Sequence, residues 1–131
     1  MKKIEVVAAI IVHDELILCT QRNESKLEYI SNKFEFPGGK IEQGETKREA
    51  LKRELVEELN IEPIIKDLYL SVVHQYPDFE LTMHSFICDA DSMNISLNEH
   101  ISYQWLKKEE LNKLDWAAAD LPIVRKLMNN D

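Results

Sequence analysis

All three glycines of the chain, Gly38, Gly39 and Gly44, fall just before a run from Lys47 to Leu59 that holds neither glycine nor proline. That boundary constrains the fold more than any other feature. Thr46 and Glu49 have the spacing of a capping box, in which hydroxyl and carboxylate satisfy free backbone donors at a helix start. Leu51, Leu55 and Leu59 recur every four residues and give one buried stripe. Asn60 tolerates the left-handed conformation that ends a helix. The same helix carries Glu54, Glu57 and Glu58. At 100° per residue these carboxylates fall within an arc of about 100°, beside the leucine stripe. Like charges so placed cost a few tenths of a kcal/mol per pair on a solvated surface, and more as water is excluded. A divalent cation among them reverses the sign. Arg53 lies four residues from both Glu49 and Glu57, so a solvated, locally balanced charge run is the competing reading.

Elsewhere the chain reads as strands. "IEVVAAIIV" (Ile4 to Val12) is β-branched and apolar, "HDE" is a turn, and "LILCTQR" is the partner strand. A polar loop from Asn23 to Lys33 precedes a short strand at Phe34 to Phe36, which Pro37-Gly38-Gly39 ends. Ile64 to Tyr76 and Phe79 to Cys88 flank Pro77-Asp78 and form an antiparallel hairpin. A loop to His100, a strand at Ser102 to Leu106 and a short helix at Lys107 to Leu114 follow. The last helix has Asp120 at its N-cap and Pro122 in its first turn. The order implies a mixed sheet with helices on its faces.

At 131 residues, 44% of them hydrophobic, the chain is expected to form one domain spanning 1–131. A formal net charge of −8 disfavours a nucleic-acid polymer as partner, since few counterions would be released from phosphates. No stretch is long enough for a membrane span, and the N-terminal apolar run, broken by Glu5, is read as a strand; a cytoplasmic protein is expected. Cys19 and Cys88 are expected to be buried reduced thiols. The glycine segment lacks Walker spacing, yet glycine lets free backbone amides approach a phosphate.

Gly39, five residues, Glu45, seven residues, Arg53-Glu54-Leu55, one residue, Glu57-Glu58, one residue and Asn60-Ile61 resemble the Nudix box, G-x5-E-x7-R-E-U-x-E-E-x-G-U, with U aliphatic. Asn60 departs from the pattern by standing where the family has glycine. The resemblance implies an α/β/α sandwich with a mixed central sheet, a catalytic helix at about 47–59 and a C-terminal helix at about 120–129. It implies Mg²⁺, with Mn²⁺ as a substitute, held by Glu54, Glu57, Glu58 and the carbonyl of Gly38. Glu45 would support this cluster and Arg53 would orient it. Glu54 is the first candidate for the general base. Glu99 is the second, because "EHISYQW" resembles a MutT segment with a loop glutamate six residues before a tryptophan.

"EFPGGKIEQGE" and "WAAADLPIV" are most similar to small MutT-like nucleoside triphosphate pyrophosphohydrolases, and Asp120 matches the branch resembling CTP pyrophosphohydrolase. An ionised Asp accepts hydrogen bonds only, which suits the N4 amino group of cytosine and does not exclude guanine. Capping the last helix is the alternative role for Asp120. Arg22 and Lys40 are candidates for the polyphosphate, and Phe36 and Tyr76 for stacking on the base; surface charge and core packing are the respective alternatives. The expected reaction releases pyrophosphate from CTP, dCTP or a modified pyrimidine nucleotide. An oxidised-purine sanitising activity, hydrolysis of ADP-ribose or a dinucleoside polyphosphate, and a non-catalytic nucleotide-binding module stay open, as does monomer against homodimer.

Overall fold

β1 (Lys2–His13) is buried from Val7 to Ile11 without a break, because both of its faces are covered. In this computed structural model, which describes residues 2–129, alternate β1 side chains point to opposite layers. Val7, Ala9 and Ile11 join the leucine stripe of α1 (Lys47–Leu59), whose Leu51, Leu55 and Leu59 are fully buried. Ala8 and Ile10 join Ile123, Val124 and Leu127 of α2 (Leu121–Asn129) on the other face. The result is the expected α/β/α sandwich.

The other strands are β2 (Leu16–Gln21), β3 (Phe34–Glu35), β4 (Gly38–Lys40), β5 (Ile64–Gln75), β6 (Phe79–Asp89) and β7 (Ser102–Lys107). The sheet path is β3-β2-β1-β6-β5, with β4 on β1 and β7 on β2. β1 and β6 are parallel, from Lys2 opposite Phe79 to Val12 opposite Asp89; the other pairings are antiparallel. Asp14 and Glu15, both at positive φ, make the tight turn between β1 and β2. Cys19 and Cys88 are buried free thiols pushed up to about 12 by desolvation, which leaves them unreactive. Among the described residues no helix is long and apolar enough to cross a membrane.

Helix α1 starts and stops where its sequence dictates. The Thr46 hydroxyl accepts the Glu49 N–H at 3.1 Å, and the Glu49 carboxylate accepts the Thr46 N–H at 2.8 Å. Asn60 adopts φ 55°, ψ 44° and donates its N–H to Val56 O, so the departure from glycine leaves the helix stop intact.

Two expectations need correction. Gly38 and Gly39 do not lie in an open loop after the short strand: Gly38–Lys40 pairs with Val6–Ala8 as a strand of its own, while Gly44 lies in the turn that leads into α1. A β-carbon on Gly38 would lie 1.9 Å from Val7 O, so glycine there permits contact between two backbones. Asp120 directly precedes the last helix, as expected, but the bond its side chain makes is to the backbone just after β3 and not to that helix. It ends a 3₁₀ turn (Ala118–Asp120) that runs directly into α2, and its Oδ1 accepts the backbone N–H of Phe36 at 3.0 Å.

Candidate active site

Arg53 is the brace of the acidic helix. Its Nε–H and Nη2–H donate to the two oxygens of Glu45 at 2.7 and 2.9 Å. Nη1–H donates to Glu54 at 2.9 Å and Glu57 at 3.1 Å, and Nη2–H also reaches Lys40 O at 3.0 Å. A planar guanidinium can serve several acceptors in fixed directions, which a lysine cannot. Its charge holds Glu45 down at about 2, chiefly through that bidentate pair. Arg53→Lys is therefore expected to keep one charge but lose the fork, lowering turnover by about 10-fold or more with a small change in melting temperature. Steady-state kinetics beside a thermal melt check this.

The carboxylates are not equivalent. Glu57 has a half-exposed side chain (54%). Glu54 is 15% exposed and packs against Gly39, where an added β-carbon would lie 2.4 Å from its Oε2. Glu58 is buried, and its Oε1 accepts the Gly38 N–H at 3.0 Å. That amide is engaged by Glu58, so it is not a free phosphate donor. Burial, reinforced by the charges of Glu35, Glu54 and Glu99, pushes Glu58 up to about 9; burial likewise raises Glu54. Repelling, desolvated carboxylates along one wall fit a divalent cation with oxygen ligands. Among the described residues no three acidic, imidazole or thiol side chains are gathered as a ready-made cage.

The sign of the pH effect follows. A carboxyl whose folded pKa is raised from 4.5 to about 9 favours the folded state below 4.5, and this contribution is lost as pH rises towards 9. Metal-free protein is expected to lose melting temperature between about pH 5 and 9. Glu58→Gln is expected to flatten that slope, as melts in EDTA across the range will show.

A cavity of about 560 Å³ opens beside this wall. Gly38, Gly39, Lys40, Glu58 and Glu99 line it, as do Arg22, Phe36, Tyr76 and Asp120, whereas Glu45, Arg53, Glu54 and Glu57 are not among its lining residues. Glu45, Arg53, Glu54 and Glu57 form the supporting network around the acidic helix. Phe36 stacks on Trp116 at 4.7 Å, and Tyr76 stacks on Tyr29 at 5.2 Å while its hydroxyl accepts the Ala119 N–H. Both aromatics belong to the core and also face the cavity. Asp120 is buried, and desolvation together with the charge of Glu35 raises its pKa well above the ordinary aspartate value.

Sequence reasoning missed Glu35, Asn98 and His100. Glu35 accepts from Arg22 Nη1 at 3.1 Å and from His100 Nε2 at 3.0 Å. Its charge acts on both Glu58 and Asp120, so it stands between the acidic wall and the far part of the cleft. The available signal was the Glu-Phe-Pro-Gly-Gly context, which places an acidic side chain next to the cleft strand.

The family model described as NUDIX domain matches residues 6–126. The chain is 35% identical over 128 residues to the CTP pyrophosphohydrolase of Escherichia coli (strain K12), covering 98% of this chain and 93% of that protein. It is 32% identical over 127 residues to the 8-oxo-dGTP diphosphatase of the same strain, covering 97% and 98%. The solution structure of the MutT protein of methicillin-resistant Staphylococcus aureus 252 superposes with TM-score 0.75 at 40% identity, covering 98% of each chain. The chain belongs to the NUDIX domain family and is a hydrolase of that family.

Proposed function

We propose that this protein hydrolyses a nucleoside triphosphate to the monophosphate and pyrophosphate. The observation that carries the reading is the acidic wall of Glu54, Glu57 and Glu58, braced by Arg53 and set against a cavity of nucleotide size. Those three carboxylates and the carbonyl of Gly38 would hold Mg²⁺ or Mn²⁺. Bound there, the cation polarises phosphoryl oxygens and offsets charge that develops in the transition state. The chain's own groups do the rest. Water adds to phosphorus as the phosphoanhydride bond breaks, and a carboxylate takes the water proton while pyrophosphate leaves. Glu54 is the first candidate for that base: it is a largely buried carboxylate on the acidic helix, raised by desolvation. Glu99, whose charge is felt by both Glu54 and Glu58, is the second. Arg22 and Lys40 supply positive charge at the cavity for the polyphosphate.

Asp120 is the candidate reader of the base. Its Oδ1 accepts the Phe36 N–H, and its second oxygen is left to face a base donor such as the N4 amino group of cytosine. CTP or dCTP is the favoured substrate on this ground, in line with the similarity to a CTP pyrophosphohydrolase. The second reading, an oxidised purine nucleotide, has the similarity to an 8-oxo-dGTP diphosphatase in its favour, and guanine's N1–H and amino group can also donate to Asp120. Ranking kcat/KM over CTP, dCTP, dGTP and 8-oxo-dGTP decides between them. Asp120→Asn is expected to change this ranking by about 10-fold or more, with a modest loss of stability from the altered bond to Phe36 N–H. An unchanged ranking would assign Asp120 a purely structural role.

A further inference from the structure

The segment joining β6 to β7 is anchored on both sides of Glu99. On one side Asn98 is bonded twice to the end of the acidic helix: its N–H donates to Glu58 O at 3.0 Å and its Nδ2 to Glu57 O at 2.8 Å. These carbonyls belong to the last turn of α1, whose acceptors have no partner within the helix. On the other side the His100 side chain, only 3% exposed, is bonded through Nε2 to Glu35 Oε2 at 3.0 Å. Glu35 is fixed in turn by Arg22 and by the pairing of β3 with β2. The Glu99 carbonyl accepts Asn23 Nδ2 at 3.2 Å, and the next amide beyond His100, Ile101 N–H, donates to Gln21 O at 3.0 Å. Ile95 and Leu97 pack against the α1 layer just before this stretch, and from Asn98 to Ile101 these bonds fix where Glu99 lies.

We propose that Asn98 and His100 are positioning residues: a two-sided clamp that ties Glu99 to the acidic helix through one neighbour and to the Arg22–Glu35 pair through the other. The clamp rests on the reading that Glu99 serves the hydrolysis. It explains why a histidine is buried at a strand entrance with one ring nitrogen engaged and Nδ1 without a hydrogen-bond partner. Only a single donor at the reach of Nε2 is required of residue 100. Glutamine places an amide nitrogen at that reach; leucine fills the space and donates nothing.

The test is a double-mutant cycle with amide exchange beside it. His100→Leu is expected to lower kcat about 10- to 100-fold with nucleotide KM within about threefold of the parent. His100→Gln is expected to restore most of the loss, and Asn98→Ala to give a smaller fall. In a Glu99→Gln background, His100→Leu is expected to cost nothing further, because the residue it positions has been disabled. Additive losses in that background, no rescue by glutamine, or an unaltered kcat for both His100→Leu and Asn98→Ala would overturn the proposal. Hydrogen–deuterium exchange needs no turnover: both variants are expected to speed exchange across 94–101 while α1 keeps its protection. Unchanged exchange there also overturns the clamp. Should the parent protein turn over no nucleotide, the functional reading fails by itself and exchange still decides the clamp.

Discussion

Glu57→Gln is expected to reduce cation-dependent nucleotide turnover by about 10²- to 10⁴-fold while leaving the fold in place. Gln keeps a carbonyl oxygen that can accept the Arg53 Nη1–H now given to Glu57 at 3.1 Å. The side chain is half exposed, so the core is not disturbed. What is lost is one negative charge and one anionic oxygen on the acidic helix. A thermal melt near that of the parent, together with kinetics at several Mg²⁺ concentrations, separates loss of chemistry from loss of structure. Turnover at the parent rate would remove Glu57 from the cation site.

The second large effect is on stability. Gly38→Ala places a β-carbon 1.9 Å from Val7 O and 2.8 Å from the Ala8 α-carbon. Both atoms are backbone of β1, which is held between β2, β4 and β6 and buried on both faces. The strand has nowhere to shift, and the Gly38 N–H would lose its line to Glu58. A destabilisation of about 3–5 kcal/mol is expected, readable as a lower denaturation midpoint in urea. Gly39→Ala makes the informative contrast. The three atoms nearest its β-carbon all belong to the end of the Glu54 side chain, at 2.4 to 2.6 Å. That carboxylate can rotate away, so Gly39→Ala is expected to cost far less stability and to fall mainly on turnover.

The local features of this fold were legible in the sequence. Thr46, Glu49 and Asn60 mark the ends of α1 because caps act within a few residues, and the Leu51–Leu55–Leu59 stripe needs only helical spacing. The alternation of β1 between two cores is visible as an unbroken apolar run. The resemblance carried by Glu45, Arg53, Glu54, Glu57 and Glu58 implied an arginine-ordered acidic cluster, and Arg53 bonds Glu45, Glu54 and Glu57. The remainder depends on pairings that no local pattern encodes. Glu35 meets His100 across 65 positions, and Phe36 N–H meets Asp120 across 84. The glycine segment read as a turn because nothing near it shows that β1 will pair with it. Asp120 read as either a base reader or a cap, because its burial and its bond to Phe36 N–H are set by tertiary packing.

The central claim is that the acidic helix serves cation-dependent cleavage of a nucleotide phosphoanhydride. It is tested most directly by following the products formed from CTP with Mg²⁺ and with EDTA. The account predicts CMP and pyrophosphate in equal amounts with Mg²⁺, and none with EDTA. Equal product formation in EDTA, or release of inorganic phosphate and CDP in place of pyrophosphate and CMP, would contradict it.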